Sequence, residues 1–188
     1  MAKVTLNSAL QGIRGKIDNW VYRRFGDRMV IARRPEFTGE PSAGQLAVRE
    51  KFRAAAAYAR GALADPVTQA LYQAAAKSRG VSTFAFVMGD FLNAPEVRSI
   101  DTSGYRGQVG DQIVVSAVDD FEVVSVNVVL RDAADAVIEE GPAALVVGRW
   151  TYTATQTVAG GNSVTIEATA KDHAGNSGKL TLPSVTLP

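Results

Sequence analysis

Two hydrophobic rhythms divide this chain. The segments WVYRRF (20–25) and RMVIARR (28–34) alternate apolar with polar, mostly basic, residues on either side of Gly26-Asp27. A Gly-Asp pair between alternating runs suits a two-residue type I′ or II′ turn, so the segment predicts a β-hairpin. That turn sets Tyr22 opposite Ile31 and Trp20 opposite Arg33. One face then carries Trp20, Tyr22, Met29 and Ile31, and the other Val21, Phe25, Val30 and Ala32. Both faces are half apolar, and a lone hairpin is marginal in water. The ribbon is therefore expected to be covered, either by the chain's own helices or by a neighbouring subunit.

Beyond the loop made by Pro35, Gly39 and Pro41 the rhythm becomes helical. Ser42 and Gln45 form an S-x-x-Q capping box, and Leu46, Phe52, Ala56, Ala59 and Leu63 recur at helical spacing over residues 43–63. Asp65-Pro66 starts a second helix that runs to about Lys77 and stops at Gly80. Ser82 caps a third, carrying Phe84, Val87, Met88, Phe91 and Leu92 and ended by Asn93-Ala94-Pro95. After Pro95 the period changes to two. IVVSAV, VVSVNVVL, AVIE, WTYTAT, SVTIEATA and KLTLPSVTL read as short strands, separated by the turn-like DDFE, RDAAD, EEGPAA, AGGN and KDHAGNSG. With Ile100–Tyr105 as a first strand, about seven strands fit, which predicts an all-β sandwich. The expected fold is α+β: a basic hairpin and three-helix module over residues 1–95, an acidic sandwich over 96–188, and a hinge near Ala94–Arg98.

Charge reinforces that division. Residues 1–95 hold 14 Lys and Arg against 7 Asp and Glu, a net +7; residues 96–188 hold 6 against 12, a net −6. The whole chain is nearly neutral at +1. Such asymmetry suggests modules with different partners, or modules that attract each other. With no cysteine, disulfides and thiolate chemistry are excluded. No apolar run reaches the roughly 20 residues of a membrane span, and MAKVTLNSALQGIRGK lacks a signal-peptide core. Sec-type export is not expected; a product made in the cytoplasm, released by lysis or within a particle, fits better.

Two resemblances add to this reading. Trp150-Thr-Tyr152-Thr-Ala154, Val164-Thr-Ile166-Glu-Ala168 and Ala170-Lys-Asp172-His-Ala-Gly175-Asn176 resemble the bacterial and phage immunoglobulin-like, or fibronectin-like, domains, over roughly residues 97–188. The resemblance implies a seven-stranded immunoglobulin-like sandwich and leaves its role open among adhesion, spacing and decoration. Gly15-Lys16-Ile17, Val21-Tyr22, Pro35, Gln45, Arg49 and Phe52 are similar to a pattern in short bacterial and prophage-encoded proteins to which no activity attaches.

Candidate chemistry is sparse. The single histidine, His173, lies in a predicted turn with no G-x-S-x-G elbow in the chain, so a catalytic triad is not expected. Neither catalysis nor a small-molecule substrate is expected. Asp119 and Asp120 end one strand, while Asp172 and Asn176 lie in the last hairpin loop. In an immunoglobulin-like sandwich these loops share a pole, where four oxygen ligands would suit Ca²⁺; the same residues also simply build turns. Lys16, Arg14 and the hairpin arginines with Trp20, Tyr22 and Phe25 suit nucleic acid, by groove reading or base stacking. Gly12 and Gly15 also match the short G-x-x-G clamp.

A hairpin apolar on both sides, between a basic and an acidic half, equally suits self-assembly or docking onto other assembly subunits. The function expected is a non-enzymatic structural one: a subunit or decoration of a filament, particle or phage-like assembly that displays the sandwich. The alternative is a nucleic-acid-binding accessory protein. Trp20, Tyr22, Arg23, Arg24, Arg28, Met29, Ile31, Arg33 and Arg34 are the interface residues in either case.

Overall fold

The computed structural model describes residues 2–3, 13–25, 28–36 and 39–187. Within these, three helices and three four-stranded antiparallel sheets are seen. The chain divides into two compact units, Met1–Ala43 and Gly44–Pro188. The division therefore falls ahead of the helices rather than at residue 95: the helices belong with the second unit.

The first unit is one sheet, in the order β1 (Ala2–Lys3), β4 (Arg28–Arg33), β3 (Trp20–Phe25), β2 (Gly15–Ile17). Trp20 pairs with Arg33 and Tyr22 with Ile31, the register the hairpin spacing implies. The expected Gly26-Asp27 turn lies outside the described residues. Hydrogen-bonding Gly15-Lys16-Ile17 to Tyr22-Val21-Trp20 widens the ribbon on one side, and Ala2-Lys3 widens it on the other.

In the second unit, α1 (Ala43–Ala62), α2 (Pro66–Ser78) and α3 (Thr83–Leu92) begin where the capping residues require. The Asp65 carboxylate accepts from Thr68 N at 2.9 Å, with Pro66 in the first turn, and the Ser82 hydroxyl accepts from Ala85 N at 3.2 Å. Ala59, Tyr72, Ala76, Phe86 and Val87 form the helical core, with Phe121 from the β region packed against it. Small alanines at Ala59 and Ala76 leave space for the Tyr72 ring between the helices.

Eight strands follow, rather than seven. One sheet has the order β5 (Glu96–Asp101), β6 (Gln112–Val118), β10 (Arg149–Thr153), β9 (Ala144–Val146). The other has the order β12 (Ser177–Thr186), β11 (Ser163–Lys171), β7 (Ser125–Arg131), β8 (Val137–Pro142). Alternation in β11, where Val164, Ile166, Ala168 and Ala170 are all buried, is the period-two pattern in its plainest form. These residues share one core with Ile113, Val115, Val126, Val128, Leu130 and Tyr152 from both sheets.

Two expectations are corrected. EEGPAA is not a turn. Glu139–Pro142 stays in β8, Ala143 crosses with its N–H donating to Val126 O at 2.8 Å, and the chain resumes as β9 in the opposite sheet. Gly and Pro mark a strand changing sheets, and Gly141 leaves room for the Tyr152 ring, which would stand 3.1 Å from a Cβ there. The first strand ends at Asp101 rather than Tyr105; Tyr105 lies in the following loop with its ring buried.

The two sheet edges at β5 and β12 lie against each other. A Cβ at Gly178 in β12 would overlap the Pro95 carbonyl, a backbone atom that cannot swing aside. Gly178→Ala is expected to cost about 2–3 kcal/mol of unfolding free energy, in the range of overpacked sites. Urea denaturation of the full chain checks this; an unchanged midpoint would show that the two segments do not press together.

Candidate functional site

The expected interface residues fall on both faces of the first sheet. Cross-strand partners share a face, so Ile17, Trp20 and Arg33 form one row across three strands, and Arg24 and Met29 lie opposite each other on the same face. Tyr22 and Ile31 make the row between. On the reverse face lie Lys16, Val21, Arg23, Val30 and Ala32. Arg28 pairs with Phe25 in the last register position.

Trp20 is 49% exposed and Ile17 is 52% exposed, whereas Val21 and Met29 are buried and Tyr22 and Ile31 half-buried. Arg23, Arg24, Arg33 and Arg34 are exposed. The Arg34 N–H donates to Asn19 O at 2.7 Å and holds the open end of the ribbon together. The result is an uncovered aromatic and aliphatic patch bordered by guanidinium groups. Ile17 was missed from the sequence, since its strand is only three residues long; its place directly before the two-residue turn Asp18-Asn19 that leads into Trp20 was the available signal.

The candidate metal residues converge, and they hold a helix end. The loops holding Asp119-Asp120 and Asp172–Asn176 meet at one pole, against the end of α3. The Asn176 side-chain amide donates to the carbonyls of Asp90 (3.2 Å), Phe91 (3.2 Å) and Asn93 (3.1 Å), and to Asp172 Oδ2 at 2.8 Å. Asp172 Oδ1 also accepts from Asn176 N at 2.7 Å. Asp120 Oδ2 accepts from the Asn93 amide, and Asp119 Oδ2 from Phe121 N and Glu122 N. Asn176 thus receives the last-turn carbonyls of a helix, groups that otherwise lack partners. Among the described residues no group of three or more His, Cys, Asp or Glu side chains is arranged to hold a metal ion.

The same pole contains the buried polar residues that the sequence did not single out. Asp90, 2% exposed, accepts from the Tyr72 hydroxyl at 2.6 Å, and its other oxygen has no partner among the described residues. Burial pushes the Asp90 carboxyl up to about 6; the Tyr72 hydrogen bond and His173 oppose the rise, and the neighbouring Asp119 and Asp172 add to it. Burial and the Asp90 partner raise the Tyr72 hydroxyl as well.

The Tyr58 hydroxyl donates to the His173 carbonyl at 3.1 Å, and the His173 ring stacks at a tilt on Phe121, 5.2 Å between centroids. His173 Nε2 is 3.1 Å from Glu122 Oε2, and the Tyr72 ring lies edge-on to the imidazole. Elsewhere, the buried Glu139 accepts on one oxygen from Tyr152 OH, Thr155 N, Thr155 OH and Gln156 N at 2.6–3.2 Å. That carboxylate pins the β10–β11 connection onto β8.

Comparison with protein-family models, with curated proteins and with solved structures finds no match in any of the three. Among the described residues no helix is long and apolar enough to cross a membrane.

Asp90 gives a pH test with a definite sign. Its folded-state pKa of about 6 lies above the ordinary carboxylate range, so the native state binds the proton more tightly. Stability should rise as pH falls from 7 through 6 towards 4, and the ionised group should weaken the fold above 6. Asp90→Asn, neutral and of the same shape, is expected to gain about 1–2 kcal/mol at pH 7.5 and to flatten the slope between pH 4 and 6. Urea denaturation at a series of pH values measures both; an unchanged slope would remove Asp90 as its source.

Proposed function

We propose that the chain is a non-enzymatic assembly protein: an immunoglobulin-like sandwich on a helical base, joined to a basic, aromatic sheet that docks onto another copy or another subunit. The strand order supports the immunoglobulin-like reading. β5-β6-β10-β9 against β12-β11-β7 corresponds to strands A-B-E-D against G-F-C of that fold, with β8 as an additional strand beside C. Sandwiches of this kind serve as display and spacer modules as readily as binding ones, so the docking surface is argued from the first unit's own residues.

The observation that carries the proposal is the row Ile17–Trp20–Arg33, with its Trp and Ile half in water on a sheet only four strands wide. Trp, Tyr and Arg are the residues most enriched at the energetic centres of protein interfaces. An apolar row bordered by charge gives a partner both contact area and orientation. A filament, a particle surface or a phage-like assembly would each use such a subunit.

The exposed Arg23, Arg33 and Arg34 favour one second reading, a nucleic-acid-binding accessory role, in which Trp20 stacks on a base while the arginines neutralise phosphates.

Sedimentation of the full chain with and without DNA, at low and moderate salt, separates the two. The assembly reading expects multimers without DNA that Trp20→Ala shifts towards monomer by about tenfold or more in concentration. The accessory reading expects a complex with DNA whose affinity falls steeply with salt. A monomer indifferent to DNA at every concentration would overturn both.

A further inference from the structure

An open cavity of about 230 Å³ lies among α2, α3 and the β6–β7 loop. Val81, Ala85 and Phe86 give it apolar walls, and Asp90 and Asp120 add carboxylates to its lining. Two consecutive residues of its wall, Gly89 and Asp90, break the rules of their own surroundings. Gly89 lies inside α3, where glycine weakens a helix relative to alanine. Neither a positive φ nor a close approach requires it: a Cβ there would meet nothing within 4 Å. What the missing side chain provides is the space of the cavity itself.

Asp90 is the second exception. It is 2% exposed, accepts on one oxygen from the Tyr72 hydroxyl at 2.6 Å, and has no partner for the other among the described residues. A buried carboxylate oxygen without a donor weakens a fold. Arg79, on the same cavity wall, does not supply one: its guanidinium lies over the Phe86 ring, 5.0 Å from the centroid. The other groups that face Asp90 are Tyr72 from α2, Asp119 from the β6–β7 loop, and Asp172 and His173 from the last hairpin. Three carboxylates thus surround the cavity end of Asp90 when Asp120 is included. A glycine that loosens a helix and a carboxylate that lacks a donor stand side by side. Departures of this kind from local rules gather at functional sites.

We infer that this cavity binds a small organic cation, an ammonium group carried on a compact aliphatic or aromatic body. Each part of the site selects one part of that ligand. The ammonium supplies the N–H donors that Asp90 lacks, and Asp120 offers a second acceptor. The apolar body lies against Val81, Ala85 and Phe86, in the room that Gly89 leaves. The volume falls below the roughly 300–1,000 Å³ of drug-sized sites, so the body is small. An anion would meet carboxylates of its own sign, and a neutral apolar molecule would leave the Asp90 oxygen unpaired. A metal ion would face walls that give it no oxygen ligands beyond those two side chains. The site lies wholly within the second unit and does not depend on the Trp20 row or on the assembly reading.

Benzylamine and its neutral counterpart of the same shape, benzyl alcohol, are the probes. Titrated into the isotopically labelled full chain at pH 7.5, benzylamine should shift the backbone amide signals of Phe86, Gly89 and Asp90 and reach saturation. Benzyl alcohol should bind about tenfold more weakly or worse. Asp90 titrates near pH 6, so the affinity for benzylamine should fall about tenfold between pH 7.5 and 5, while that for benzyl alcohol should hold. Asp90→Asn should remove both the preference for the cation and its pH dependence. Gly89→Leu should fill the cavity and abolish the shifts. Leucine is the stronger helix former and the same spectra report the fold, so that loss cannot be ascribed to a broken helix. Equal binding of the two probes would overturn the proposal. So would an absence of saturable benzylamine binding at pH 7.5, or shifts that persist unaltered in Asp90→Asn and Gly89→Leu.

Discussion

One side-chain amide bridges the helices and the sandwich of the larger unit. Asn176 reaches from the last hairpin of the sandwich to the carbonyls of Asp90, Phe91 and Asn93, its two N–H groups shared among them and Asp172 at the end of α3. Around it Tyr58 donates to the His173 backbone, Asp120 accepts from Asn93, and Phe121 enters the helical core beside Tyr72 and Phe86. Polar groups removed from water are costly unless paired, so the clamp ties the placement of the loops to that of the helices. The helices and the sandwich consequently form a single compact unit.

The carboxylates of this acidic pole are held by N–H donors. Asp119, Asp120 and Asp172 each have carboxylate oxygens facing such donors, whose positive partial charge offsets the crowding of like charges. Only Asp90 departs from this, with one oxygen on Tyr72 and the other unpartnered. The strain of the pole is concentrated in that one group, as its raised pKa reflects.

Much of this was legible in the sequence where a local rule operates. The hairpin register follows from two flanking runs of opposite sense. The starts of α2 and α3 follow from Asp65-Pro66 and Ser82, because a cap is a contact between residues three apart. The convergence of the two loops followed from sandwich topology. What escaped was set by contacts distant in sequence. Asp90 sits in an apolar run, TFAFVMGDFL, and nothing near it indicates that Tyr72, eighteen residues earlier, will meet its carboxylate. β9 was hidden because Gly141-Pro142 signals a break in direction without saying whether the chain reverses or changes sheet. Asp172 and Asn176 look alike in the sequence as turn builders and as ligands, and the helix end that lies beside them is distant in sequence.

The close approach of Gly178 to Pro95 has a consequence for how the chain can be dissected. The change of rhythm at Pro95 invites a cut there, yet the strand that begins after it is pressed against the final hairpin from its first residue. A fragment starting at residue 96 would keep every sandwich strand and still lose the surface that shields Phe121 and the three carbonyls that occupy Asn176. The change in pattern and the change in cohesion therefore fall at different places, and the smallest piece retaining all its internal contacts begins before α1.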